Sequence, residues 1–531
     1  MKSAATPPDA PVAAPPPAPV AVGSARALPP GPALLVPTAF LLALASFAFF
    51  EFRGQNLLLR SCLGAAAAGT VWAAWLFGTA RRAGRTLVLS VVIHRHHWVQ
   101  ALAQAAIYVW WGWHVRIVYA FVPLLVAQVL FAYAVDALLT WSRRERYAIG
   151  FGPLPVVGSI NLFLWFRPEW FHWQFVMIAV GYLGKELIRW QRDGRSVHIF
   201  NPSSFPLALV SVFLVATGAS DATFGQLIAN TQHDPPLIYL VIFLAALPGQ
   251  LLFGVARMTL AAVATMFLFS AAYLQVTGTY FFFDSHIPVP VFLGMHLLFT
   301  DPSTSPRSGR GRIVFGVLYA LGILALYVLL TRMGVPTFYD KLLPVPLLNL
   351  AVRAIDRASG WRGFPLPAGS VAASPLRTHL VWTSAWVVLF LALSGTRALG
   401  DRHPGQYLPF WVAACQDGSA RACEYASFLT LAYCNNGSGW ACNEVAARSS
   451  VATRDAVAAF RRACELGFEA GCQNARIAEQ GGTGWRHGDP ELPDLPIVLR
   501  GTKPALSERD PARLYRIACD QGWSAACGRT S

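Results

Sequence analysis

From residue 34 to residue 396 the chain alternates long apolar runs with short polar loops. Thirteen runs approach the length that carries a helix across a bilayer, about 20 apolar residues. They lie near 34–52, 57–78, 97–113, 117–141, 148–166, 171–189, 204–218, 236–255, 257–277, 286–300, 312–331, 342–356 and 378–396. The shortest, 286–300 and 342–356, fit tilted halves or re-entrant segments as well as full crossings. Ahead of them, residues 1–33 are Pro/Ala low complexity, which cannot bury a core and is expected to be disordered. They lack the charged-then-apolar layout of a cleaved leader, so the first run is expected as a retained anchor. After residue 400 the pattern turns polar.

Composition agrees: 55% of residues are hydrophobic and 13% charged, with 18 Trp and 34 Phe, unlike a soluble domain. The net charge of +15 does not point to nucleic acid, because the arginines fall in alternate loops between apolar runs. Arg81, Arg82, Arg85, Arg143, Arg144, Arg192, Arg195, Arg307, Arg310 and Arg312 lie on one side of the count, and loops 219–235 and 278–285 hold no Lys or Arg. The positive-inside rule then sets the N-terminus in the cytoplasm and, after thirteen crossings, residue 400 onward outside.

Eight of the nine cysteines fall in that polar tail, in four copies of C-x2-G-x3-[AG]-C: 415-CQDGSARAC-423, 434-CNNGSGWAC-442, 464-CELGFEAGC-472 and 519-CDQGWSAAC-527. Paired cysteines at fixed spacing suggest disulfides and an oxidising compartment, in agreement with the topology. The glycine suits a helix C-cap, and the second cysteine then opens the next helix, so one bridge staples each corner. The tail resembles cysteine-rich Sel1-like, TPR-related helical repeats. Zinc and haem attachment are poorer readings, since neither C-x-x-C nor C-x-x-C-H occurs in it.

Three stretches form an ordered set: 181-GYLGKELIRWQRDGRSVHIFNPSSFPLALVSVFL-214, 300-TDPSTSPRSGRGRIVFG-316 and 342-LLPVPLLNLAVRAID-356. Gly184-Lys185-Glu186, Gly194-Arg195, Asn201-Pro202, Thr300-Asp301-Pro302, Gly311-Arg312 with Gly316, and Asn349-Leu350 with Asp356 carry the pattern. Over residues 90–360 the chain resembles the NqrB/RnfD family, the membrane flavoproteins of the sodium-translocating NADH:quinone oxidoreductase and of the Rnf electron-transport complex. The resemblance implies FMN, with riboflavin as a second flavin, quinone as an acceptor and other electron-transport subunits as partners. It also implies FMN on a threonine in a Ser-Gly-Ala-Thr-like sequence. Here 218-GASDATFG-225 offers Ser220, Ala222 and Thr223, with Asp221 in place of the glycine and a shorter interval from Asn201.

The residues themselves support a narrower statement. Asn and Asp are good N-caps and Pro is favoured at the first helical position, so Asn201-Pro202 and Asp301-Pro302 are each expected to start a helix. Such starts suit a phosphate or flavin carbonyl, with Arg310 and Arg312 adding positive charge. One pair precedes a span and the other follows one, which hints at an inverted internal repeat; the plain alternative is two capped helix starts in basic loops. Lys185, Glu186, Asp136 and Asp356 are ionisable groups near span ends and are candidates for an ion path, or ordinary helix-end charges. His94, His96 and His97, with His114 at the far end of the same run, offer haem ligation as a rival chemistry.

The expected fold is all-α: a polytopic helical membrane protein of about thirteen spans plus a periplasmic, disulfide-stapled helical-repeat domain. The expected division is 1–33 disordered, 34–89 two added spans, 90–360 the core, 361–399 a linker and last span, and 400–531 the repeats. The expected function is a flavoprotein-like electron-transport subunit of the bacterial inner membrane, held in the lipid bilayer and possessing no nucleic-acid role. The alternative is a flavin-free transporter-like or assembly scaffold whose repeats bind a partner protein.

Overall fold

The computed structural model describes residues 20–21, 25–192, 194–360, 375–448, 453–501, 503 and 506–529. The expectation of disorder for residues 1–33 falls largely outside these, as do the side chain of Arg195 and most of the 361–399 linker before residue 375. Two compact units divide the chain: residues 1–266 with 289–391, and residues 267–288 with 392–531.

The first unit is built on helices α1 (Pro30–Glu51), α2 (Asn56–Arg82), α3 (Arg95–His114), α4 (Val122–Arg143), α5 (His172–Leu187), α6 (Ser204–Thr217) and α7 (Ile238–Phe253). After α8 (Ala256–Thr277) come α9 (Gly309–Arg332), α10 (Pro344–Ser359) and α11 (Pro375–Gly395). Among the described residues six helices, namely α1, α2, α4, α8, α9 and α11, are long and apolar enough to cross a membrane. The chain is thus mostly helical and compatible with a multi-pass membrane protein.

The other apolar runs take shorter forms. α6 has 14 residues, about 21 Å at 1.5 Å per residue, and Gly218 at φ +66° ends it. The run 148–166 breaks into a helix at Pro153–Asn161 and a buried non-helical stretch, Leu162 to Phe166. The run 286–300 becomes one turn of α-helix, Val289–Leu293, followed by a π-helical turn, Gly294–Leu298.

Two small β elements join the helices. Strand Leu87–Ile93 pairs antiparallel with Arg26–Leu28 and parallel with Arg146–Ile149. Its sequence, LVLSVVI, is rich in β-branched residues, which favour strands. A hairpin pairs Arg189–Arg192 with Arg195–His198, and Gly194 at φ +73° lies in its turn.

The second unit holds the four expected disulfides, Cys415–Cys423, Cys434–Cys442, Cys464–Cys472 and Cys519–Cys527. Its helices are α12 (Leu408–Gln416), α13 (Ala420–Asn435), α14 (Gly439–Ala447), α15 (Arg454–Glu465), α16 (Glu469–Glu479) and α17 (Pro511–Asp520). The bridges staple α12 to α13, α13 to α14, α15 to α16, and α17 to a last short turn. Gly418, Gly437, Gly467 and Gly522 each adopt a positive φ between +88° and +97°. Only glycine tolerates this readily, and it lets the chain reverse within three residues. Ser419 and Ser438 then cap the next helices through Oγ, accepting from Ala422 N and Ala441 N. Trp411, Tyr433, Leu408 and Ala463 are buried in the core between the helices.

Candidate functional site

The three motif stretches meet in the first unit. Asn201 lies between the hairpin and α6. Its Oδ1 accepts from Ser203 N (2.9 Å), Ser203 Oγ (2.7 Å) and Ser204 N (3.2 Å), so it closes the turn that leads into α6, whose N-cap position is Ser203 rather than the expected Asn201. Its Nδ2 donates to Leu298 O (3.3 Å), and its own N–H donates to Asn349 Oδ1 (3.3 Å). Asn349 Nδ2 donates to Thr304 O (3.0 Å). Two buried asparagines thus tie the 201 turn, the 298–304 bend and α10 together. Pro202 sits in the same turn, and its carbonyl faces Gly181 of α5. A Cβ on Gly181 would stand 2.3 Å from that oxygen, so only glycine permits the approach.

Asp301-Pro302 behaves differently from Asn201-Pro202. Asp301 Oδ1 accepts from Ser303 N (2.9 Å) and Ser303 Oγ (2.7 Å), and Oδ2 from Thr304 Oγ1 (3.2 Å). This is a capped turn with no helix after it. Pro306 explains the difference: a helix begun at Pro302 would need the missing Pro306 N–H and would force Ser305 out of the helical region. Ser308 caps α9 instead, accepting from Gly311 N (3.0 Å). Thr300 is buried, and its hydroxyl donates to His296 O (2.6 Å).

Asp356, near the end of α10, is the hub of the loop. Its carboxylate accepts from Arg192 Nη2 (2.9 Å), Arg307 N (3.2 Å), Ser308 N (3.2 Å) and Ser308 Oγ (3.0 Å). Arg192 also donates to Ser305 O (3.2 Å), so the hairpin is bound into the cluster. Arg312 donates to Pro306 O (3.0 Å) and Gly254 O (2.6 Å). Arg310 donates to Ser359 O (3.4 Å), while its buried Nε has no hydrogen-bond partner.

The remaining charged candidates are paired. Lys185 Nζ lies 3.1 Å from Asp136 Oδ1, and Glu186 lies 2.6 Å from Arg144 and 3.9 Å from Arg189. The Lys185–Asp136 and Glu186–Arg144 pairs link α5 to α4 and its end. His94, His96 and His97 crowd the start of α3 with ring centroids 4.2–5.3 Å apart. His198, on the hairpin, sits 3.1 Å from Ser303 Oγ. Burial pulls its imidazole down to about 4, against the opposing pull of Asp301. His114 is at the other end of the 20-residue α3, against Trp110. Among the described residues no three His, Cys, Asp or Glu side chains are placed to hold a metal.

Thr223 and Ser220 lie apart from this cluster, beyond the far end of α6. Thr223 is 5% exposed. Its Oγ1 donates to Ser220 O (3.0 Å) and accepts from Gly225 N (3.3 Å). Ser220 Oγ accepts from Tyr339 OH (2.9 Å), and a Cβ on Gly225 would stand 2.3 Å from the Phe338 ring. The hydroxyl is engaged and enclosed, which does not fit a phosphodiester to FMN.

Next to the cluster a small hollow is lined by Val99, Gln100, Gly249, Gln250, His296 and Thr300. His296 comes from the π-helical turn, and its Nδ1 lies 2.6 Å from Phe292 O. Its buried Nε2 has no partner. Sequence reasoning missed both His296 and His198, although His198 stands three residues before the Asn-Pro pair. Compared with family models, with curated proteins and with solved structures, the chain matches none.

Proposed function

We propose that the chain is a polytopic membrane subunit of an electron-transport assembly, with a core like that of the NqrB/RnfD membrane flavoproteins. The observation that carries this reading is the convergence of residues 201, 298–304 and 349 through the amides of Asn201 and Asn349. Stretches about 100 and 150 residues apart meet at the residues that define the ordered motif set. The bacterial inner membrane is the expected site, with the disulfide-stapled unit on the oxidising side as a docking module for a partner protein.

The flavin implied by the resemblance fits the Asn201–Asp301–Arg310–Arg312 cluster better than Thr223. Arg310 Nε, buried and unpartnered, suits a phosphate or carbonyl oxygen. When bound, a flavin supplies the electron-carrying chemistry; the protein's residues hold and orient it. A second reading, a flavin-free assembly scaffold, is favoured by the enclosed Thr223 and by the pairing of Lys185, Glu186, Asp136 and Asp356 within the protein.

The absorbance spectrum of the purified protein separates the two. Flavin bands that pass into the supernatant on denaturation, with no ultraviolet fluorescence of the gel band, are the expected result. A colourless preparation removes the electron carrier and leaves the scaffold. A fluorescent band that disappears in Thr223→Ala would overturn the placement of the flavin.

A further inference from the structure

In the second unit, residues 482–491 leave α16 without regular secondary structure and run across α14, α15 and α16 as a strap. Its residues Arg486 to Asp489 are exposed on the outer side. Two fully buried asparagines grip the backbone N–H and C=O of one residue beneath. Asn474 Nδ2 donates to Arg486 O (2.7 Å), and Asn474 Oδ1 accepts from Arg486 N (2.7 Å). Asn443 Nδ2 donates to the same Arg486 O (3.0 Å), and Asn443 Oδ1 accepts from Asn474 Nδ2 (2.8 Å). A carboxamide carries an acceptor and a donor side by side, so it matches the N–H and C=O of one extended residue whatever its side chain.

Three further contacts fix the register. Trp485 packs on Phe460, with centroids 4.9 Å apart. His487 Nδ1 lies 2.8 Å from Glu444 Oε2. Trp440 Nε1 donates to Gly488 O (2.7 Å), where a Cβ on residue 488 would stand 3.0 Å from Phe468. The helices therefore read a short extended sequence: an aromatic residue, any residue held by its backbone, a basic residue or histidine, then glycine. Gly481 and Gly484, both at positive φ, give the entry to the strap a bendable backbone.

We infer that this face of the repeat unit is a peptide-docking groove for an extended, aromatic- and histidine- or cation-bearing segment of a partner protein, and that residues 482–491 are its resident occupant. Because Asn443 and Asn474 recognise backbone alone, an incoming extended chain can offer them the same N–H and C=O. The strap, tethered at both ends, competes at a high effective concentration and weakens any free peptide accordingly. This inference rests on reading the unit as a docking module and names what it docks.

The test uses the full chain in detergent and a fluorescein-labelled synthetic peptide of residues 481–491. In Trp485→Ala/Arg486→Pro the strap loses its aromatic anchor and the N–H that Asn474 accepts. Fluorescence polarisation is expected to show at least about ten-fold tighter peptide binding than wild type, and adding Asn474→Ala is expected to abolish it. Binding no tighter than wild type, with all four disulfides mapped, would overturn the groove. Should the double variant fold badly, hydrogen exchange on the wild type decides. Strap amides 485–488 are expected to exchange faster than α16 and faster still with excess unlabelled peptide, which displaces the strap; exchange as slow as α16, unchanged by peptide, refutes it. If the unit still cross-links to another protein in native membranes while ignoring the peptide, the groove fails and the docking reading stands. Loss of both removes both.

Discussion

Asp356→Ala tests whether the motif loop is held by one carboxylate. The side chain of Arg192 is 10% exposed and that of Asp356 is 25% exposed, with 2.9 Å between their charged atoms. At an effective dielectric of about 20 that separation corresponds to roughly 6 kcal/mol of attraction before desolvation. Partial solvent access at Asp356 roughly halves it, to about 3 kcal/mol. The bonds to Arg307 N, Ser308 N and Ser308 Oγ are lost as well, but those groups are near enough to the surface for water to replace most of their value. A local loss of about 3 kcal/mol raises the open population by roughly 100-fold. Hydrogen exchange by mass spectrometry is the assay, on the full protein in detergent. Amides of residues 303–312 and of the 189–198 hairpin are expected to exchange about 100-fold faster. Asp356→Asn, which keeps an acceptor for Ser308, is expected to show a smaller change. Exchange within two-fold of wild type in both segments would refute the hub.

The other expectations are simpler to check. Each disulfide closes a loop with a sequence separation of 8, worth about 2.5 kcal/mol in the chain-entropy treatment. Reduction and alkylation should therefore lower the thermal midpoint of the repeat unit, while peptide mapping of the untreated protein recovers the four pairs. Gly181→Ala drives a Cβ to 2.3 Å from Pro202 O, and a backbone oxygen cannot swing aside as a side chain can. It should cost roughly 1–3 kcal/mol and loosen the 201 turn, and an unchanged thermal midpoint would contradict the close approach. His286 and His403 pack with ring centroids 5.0 Å apart beside Tyr280, with His286 Nδ1 2.9 Å from Ser270 Oγ. Burial lowers His286 to about 4, and lowers His403 well below the usual value with His286 adding to the shift. The unfolded chain takes up these protons near pH 6.5, so it binds more protons than the fold and stability drops as pH falls from about 6.5 toward 4. His286 alone accounts for about 3 kcal/mol. A flat unfolding midpoint between pH 7 and 4.5 in the second unit would disprove it, and His286→Gln should flatten the slope.

What the sequence disclosed depended on how local the physics was. A stapled corner is decided within nine residues: a glycine that alone tolerates positive φ, a serine cap and two cysteines one turn apart in space. Such a corner is readable from the sequence of Cys434 to Cys442 alone. The run 148–166 is the opposite case. Apolar helix and buried extended chain share one composition, so Leu162 to Phe166 looks like the end of a span. Only the partner segment distinguishes them, through Phe224 N donating to Trp165 O (2.7 Å). The Asp301-Pro302 pair misleads because Pro306, four residues on, outweighs a good cap. The 189–198 hairpin has a signal, Asp193-Gly194 between alternating residues, that the apolar count obscures. Asn443 and Asn474 carry none, since an asparagine that grips a segment 12 or 43 residues away looks like any helix-surface amide.

The placement of charge bears on what the core can do. An ion path needs a carboxylate that exchanges its partner for a passing cation. Asp136 faces Lys185, Glu186 faces two arginines, and Asp356 is surrounded by donors from the hairpin and the 300–308 loop. Lys185 and Glu186 are neighbours on α5, and their partners Asp136 and Arg144 stand eight residues apart, in α4 and just past its end, with opposite sign. Sliding one helix along the other by a turn breaks both pairs together, so they fix register more readily than they release charge. The buried atoms without a partner include Arg310 Nε beside the motif loop and His296 Nε2 at the π-turn hollow. One is a donor and the other a lone-pair acceptor, because the proton on His296 Nδ1 is directed to Phe292 O. Buried polar atoms without partners cost free energy in the isolated protein. Binding at such an atom recovers that cost, so Arg310 Nε and His296 Nε2, which adjoin the motif loop and the hollow, are better placed to meet a ligand than the paired carboxylates.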